Sequence, residues 1–155
     1  MLLVVAAALI DEDQRILLSE RPVGKNLAGL WEFPGGKMMA EETPEQALKR
    51  ELREELGVLT SAGCFHPVAF VTHPLNEASL PVERAAMGGC DPLKADPLLH
   101  PDDVMLLMLY ACRRWHGIPQ GMEGQALRWV KIHEMRELPM PPADVPLVSA
   151  LRSSL

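Results

Sequence analysis

"GGKMMAEETPEQALKRELREELGV", residues 35–58, opens with two glycines and sets six glutamates around an arginine. Its local signals predict a helix over 44–56. Thr43 is placed to cap it, Pro44 suits the first helical position, and Gln46 completes a capping box. Gly57 stands where a helix C-terminal glycine belongs. At about 3.6 residues per turn, Glu51, Glu54 and Glu55 fall within about 100° of one another. Leu48, Leu52 and Leu56 form a separate apolar stripe suited to packing on a sheet. The Glu51/Glu55 pair at i, i+4 costs about 0.3 kcal/mol in repulsion, which a bound divalent cation would recover many times over.

Outward from this helix the chain reads mostly as strands. "LLVVAAALI", the turn "DEDQ" and "RILLSER" give strand, turn and strand over residues 2–21. The loop "PVGKNLAG" leads to a short strand in "LWEFP", and "GGKMMAEE" reads as loop. Residues 58–73 suggest one or two strands. From Pro74 to Pro101 there are five prolines, a Gly-Gly and no sustained period, so a long loop or insertion over about 75–101 is expected, with one helical turn at "VERAAM". "DVMLLMLYACRRW" and "QALRWVKI" return as strands, "HEMREL" as a short helix, "PMPPAD" as a loop and "VPLVSALRSS" as a closing amphipathic helix. Strands around one early helix, with a second helix last, predict a single α/β domain over 1–155.

Composition narrows the function. The chain is 48% hydrophobic and 23% charged, as expected of a globular protein. A net charge of -6 argues against polymeric nucleic acid as a partner, whereas a small anionic ligand fits if a metal brings the positive charge. Cys64, Cys90 and Cys112 lack metal or C-x-x-C spacing and read as reduced thiols in a cytoplasmic protein. "MLLVVAAALI" has no basic region before it and is too short to span a bilayer, so no membrane role is expected.

Gly36, Glu42, Arg50-Glu51-Leu52, Glu54-Glu55 and Gly57-Val58 stand at the spacing of the Nudix signature. With "AGLWEFPGGK" before it, "EGQALRW" at 123–129 and "PPAD" at 141–144, the chain resembles the MutT-like branch of the Nudix hydrolases. The loop "KMMAEE" departs from the acidic residue and glycine such proteins often carry before the first signature glutamate. The resemblance implies an α/β/α sandwich around a mixed β-sheet and hydrolysis of a nucleoside triphosphate to monophosphate and pyrophosphate. It implies Mg²⁺, with Mn²⁺ as a possible substitute, on Glu54, Glu55 and a backbone carbonyl of Gly35 or Gly36. Glu51 is a ligand or the base that takes a proton from water, and Arg50 orients a carboxylate through a bidentate contact. Glu42 supports the loop rather than the chemistry.

Similarity to the same branch extends the site. Glu123 resembles a further metal-binding glutamate, although the local sequence "MEGQ" taken alone reads as a turn acid. Arg21 is similar to an arginine that contacts substrate phosphate, or is an exposed strand-end charge. Phe33 resembles a residue bordering the base, or is a core aromatic. Asp144 stands where MutT has asparagine and either reads the base or caps the last helix. The five histidines are read as structural or exposed. The leading substrate is 8-oxo-dGTP, in nucleotide-pool sanitation. A dCTP/CTP or modified-cytosine triphosphate pyrophosphohydrolase is the enzymatic alternative, and a silent nucleotide-binding regulator the non-enzymatic one.

Overall fold

The computed structural model describes residues 1–22, 24, 28–75, 92–93 and 100–155. The strands are β1 (Leu2–Leu9), β2 (Arg15–Glu20), β3 (Trp31–Glu32), β4 (Gly35–Lys37), β5 (Phe65–Pro74), β6 (Val104–Cys112) and β7 (Leu127–Lys131). The helices are α1 (Pro44–Leu56) and α2 (Asp144–Ser154). β4, β1, β6 and β5 form a mixed sheet in that order, β1 and β6 being parallel. β3, β2 and β7 form a second, antiparallel sheet, and an Ile10–Ile16 bridge ties β2 to the end of β1.

Strand alternation builds two cores from one sheet. Val5, Ala7 and Leu9 of β1 face α1, with Leu17, Tyr110 and Cys112. Ala6 and Ala8 face the other way, toward α2, with Ile16, Leu18, Leu107 and Leu109. On α1, Leu48, Leu52 and Leu56 are fully buried, each worth roughly 2 kcal/mol in apolar burial. Leu147, Val148 and Leu151 play that part on α2. Thr43, Gln46 and Gly57 cap α1 as its sequence requires, Gly57 at φ 69°.

The loop expected at Gly35–Lys37 and the capping alternative at Asp144 change; the other expectations are made specific. Gly35–Lys37 is strand rather than loop, because a side chain at Gly35 would overlap the Val5 carbonyl and only glycine lets β4 lie beside β1. Residues 58–73 hold one strand, entered through a 3-10 turn at Ala62–Cys64. Asp144 does not cap α2: Ala143 is the N-cap and offers no side-chain hydrogen bond, while Asp144 is the first helical residue. The "HEMREL" segment is a 3-10 helix, Ile132–Glu137.

β5 and β6 pair to Pro74–Val104, and Leu75 N–H donates to Asp103 O at 2.9 Å. The expected excursion therefore leaves and returns at adjacent points. Its proposed helical turn at 82–87, and Cys90, lie outside the described residues. Cys64 and Cys112 are free thiols. No helix among the described residues is long and apolar enough to cross a membrane.

Candidate active site

Arg50 organises the acidic face of α1. Its Nε and Nη2 donate to the two oxygens of Glu42 at 2.6 and 3.1 Å, Nη1 to Glu51 at 2.8 Å, and Nη2 also to Lys37 O at 3.0 Å. Nη1 reaches Glu54 only at 3.5 Å, and Glu54 is 55% exposed. Glu42 accepts the Met39 N–H at 2.8 Å as well, and its contact with Arg50 holds its carboxyl below the usual range. The signature loop and helix are thus stapled together by charge-assisted hydrogen bonds.

Gly36 gives room to the chemistry. A Cβ there would lie within 2.6 Å of Glu51 Oε1, so the glycine leaves space for that carboxylate. Gly35 N–H donates to Glu55 Oε2 at 3.2 Å. Burial pushes the Glu55 carboxyl up to about 8, with Glu51, Glu123 and Glu32 adding like charge and the Gly35 hydrogen bond opposing them. An oxygen-rich pocket that holds carboxyls against their own repulsion suits a hard divalent cation. Among the described residues no three acidic or imidazole groups converge tightly enough to hold a metal unaided. Backbone carbonyls, water and substrate phosphates would complete the shell, as Mg²⁺ favours.

A cavity of about 780 Å³ runs from this acidic end toward α2. Gly35, Gly36, Glu55 and Glu123 line one part of it; Arg21, Glu32, Phe33 and Asp144 line another. Arg21 Nη1 donates to Glu32 Oε2 at 3.0 Å, so it stands as half of an ion pair across β2 and β3. Phe33 is buried in the core, and its backbone N–H donates to the carboxyl of Asp144. Asp144 is 6% exposed, and its carboxyl is pushed up to about 7 by burial and by Glu32, against Phe33 N–H and Arg21. Arg50, Glu51 and Glu54 stand outside the cavity lining; Arg50 and Glu54 instead border a shallow depression with Lys49 and Arg53.

The NUDIX domain family pattern matches residues 2–151. The chain belongs to the Nudix family. It is 38% identical over 146 residues to the CTP pyrophosphohydrolase of Escherichia coli K12, covering 94% of this chain and 88% of that one. It is 34% identical over 149 residues to the 8-oxo-dGTP diphosphatase of Haemophilus influenzae, covering 95% and 89%. The solution structure of the E. coli ORF135 protein superposes with a TM-score of 0.72 at 33% identity, over 99% of this chain and 89% of that one. This Nudix hydrolase lies in the MutT-like branch.

Three lining residues of the Nudix cavity escape sequence reading. Glu32 stands in plain view in "LWEFP", but its partner Arg21 is found only once β2 and β3 pair. His73, on β5, lines the cavity although histidines have no motif here. Gln125 bridges α1 and the 121–124 turn through long-range contacts that no local pattern announces.

Proposed function

We propose that this Nudix nucleoside triphosphate pyrophosphohydrolase is Mg²⁺-dependent and takes cytosine triphosphates of the CTP or dCTP kind, with 8-oxo-dGTP as its second substrate. Glu54, Glu55 and Glu123, with a carbonyl of Gly35 or Gly36, would hold the metal beside the substrate phosphates. The Glu51 carboxylate faces Gly36, and Arg50 occupies one of its oxygens and leaves the other without that bond, which supports a ligand or water-holding role for Glu51. A bound Mg²⁺ supplies phosphate charge neutralisation and a polarised water. The chain's own residues do the positioning: Arg50 fixes the carboxylates, Gly35 N–H orients Glu55, and the buried end near Phe33 and Asp144 receives the base.

The carrying observation is Asp144, a cavity-lining carboxyl that exchanges its proton near pH 7. Ionised, it accepts from the exocyclic amine of cytosine; protonated, it can also donate to the ring N3. Cytosine is therefore served in both states. Through its N7–O6 edge 8-oxoguanine offers one donor and one acceptor, and bound by that edge it is served fully only by the protonated acid. The 38% relative acting on CTP supports the same order, and the 34% relative keeps the oxidised purine as second reading. Pyrophosphate release from CTP, dCTP and 8-oxo-dGTP across pH 6–8.5 tests it. The ratio of 8-oxo-dGTP to CTP turnover should fall as pH rises through about 7. Titration of Glu55 acts on both substrates and cancels in that ratio. A pH-independent ratio favouring the purine would reverse the assignment.

A further inference from the structure

A polar link between Glu55 and Glu123, both proposed above as metal ligands, runs through the side chain of Gln125. Gln125 Nε2 donates to the backbone carbonyl of Glu55 at 2.9 Å, while its Oε1 accepts the backbone N–H of Glu123 at 2.9 Å. One planar amide thus spans the C-terminal end of α1 and the 121–124 turn, joining the two residues whose carboxyls repel each other. The turn is also held by Met122 N–H to Glu55 O at 3.0 Å and by Gln120 N–H to Leu56 O at 3.0 Å. Those bonds secure the turn to the helix, but among the described residues only Gln125 reaches the amide of Glu123 itself. Gly121 has no space for a Cβ against the Gln125 backbone carbonyl, so the loop closes tightly against the backbone at residue 125.

We propose that Gln125 is a positioning residue that sets the separation of Glu55 and Glu123 for the divalent cation. The inference rests on Glu123 being a ligand, as argued above. Without the amide bridge, the Glu123 amide would lose its tie to the end of α1, and the cation would lose a properly placed oxygen. A partner of this kind typically governs metal affinity by about 10–100-fold.

The test is Mn²⁺ binding to nucleotide-free protein, read by the loss of the free-ion paramagnetic signal, beside thermal unfolding. Gln125→Met keeps length and removes both hydrogen bonds. It should raise the Mn²⁺ dissociation constant by about tenfold, and by less than about twofold once Glu123→Gln is already present. Should Gln125→Met fail to fold, Gln125→Glu keeps the acceptor for Glu123 N–H and sets an oxygen against the Glu55 carbonyl. It should also weaken Mn²⁺, despite its added negative charge. Unchanged or tighter Mn²⁺ binding in these variants, or an equal factor with and without Glu123→Gln, overturns the proposal. If Glu123→Gln alone leaves the dissociation constant unchanged, the ligand reading of Glu123 fails first and takes this inference with it.

Discussion

Arg50 grips Glu42 with two parallel hydrogen bonds and holds Glu51 with the nitrogen left over. A lysine carries the same charge but has no fork to make that geometry. Arg50→Lys should therefore leave a folded protein whose Glu51 is misplaced. We expect kcat to fall by about 100-fold, the scale of a misplacement of roughly 1 Å, with KM changed far less. Steady-state kinetics at saturating Mg²⁺ decide it; an equal loss from kcat and KM would contradict a purely orienting role.

Glu54 is more than half exposed and makes only a long contact with Arg50. Glu54→Gln should accordingly leave the unfolding temperature unchanged while abolishing Mg²⁺-dependent turnover. Near-native activity at limiting Mg²⁺ would remove Glu54 from the ligand set.

The two glycines should fail in different ways. Alanine at Gly35 meets the Val5 carbonyl and Ala6 Cα, both backbone, so β4 must separate from β1. Gly35→Ala should cost at least about 3 kcal/mol of stability. Alanine at Gly36 meets the end of a flexible glutamate, which can turn aside. Gly36→Ala should fold well and lose activity. Urea unfolding and kinetics on both variants separate the two cases.

Asp144 gives a pH signature in stability. Its carboxyl holds a proton up to about 7 in the folded protein, against an ordinary 3.8 in the unfolded chain. Between those values the folded state binds more protons, so the contribution of this group to stability falls as pH rises and is lost above about 7. Asp144→Asn should gain on the wild type through that window, measured by denaturant melts at pH 4 to 8. The same variant should alter the 8-oxo-dGTP to CTP ratio by at least about tenfold, one contact's worth in the transition state. A constant ratio would leave Asp144 with a structural role only.

The segment between β5 and β6 should be removable. Pro74 pairs with Val104 and Leu75 with Asp103, so a short turn can join them. Replacing residues 76–99 with a tight hairpin should preserve a single cooperative melting transition. Loss of folding on that replacement would make the segment part of the core.

Sequence and structure agree best where the signals are local. α1 was legible from Thr43 to Gly57 because caps, stripe and breaker all lie within one stretch. β4 was not, since Gly35 becomes strand only through the approach of Val5, thirty residues earlier. The placing of Glu55, Glu123 and Asp144 along one cavity likewise waits on tertiary contacts. The pairing of Arg21 with Glu32 was likewise hidden, because a strand-end arginine read along the chain shows only an exposed charge.

Phe33 N–H holds Asp144, and Gly35 N–H holds Glu55, two residues further along the same backbone. Pro34 between them is pinned by its carbonyl to Ala7 N–H at 2.9 Å. On the proposed reading the segment would act as a ruler, fixing how far a base seated at one end stands from phosphates held at the other. Because the graduations are main-chain amides, an exchange of side chain at Phe33 leaves them in place, whereas any side chain at Gly35 displaces β4. Proline at 33 or a side chain at 35 would erase a mark, so on that reading the length of nucleotide accepted can outlast changes elsewhere in which base is preferred.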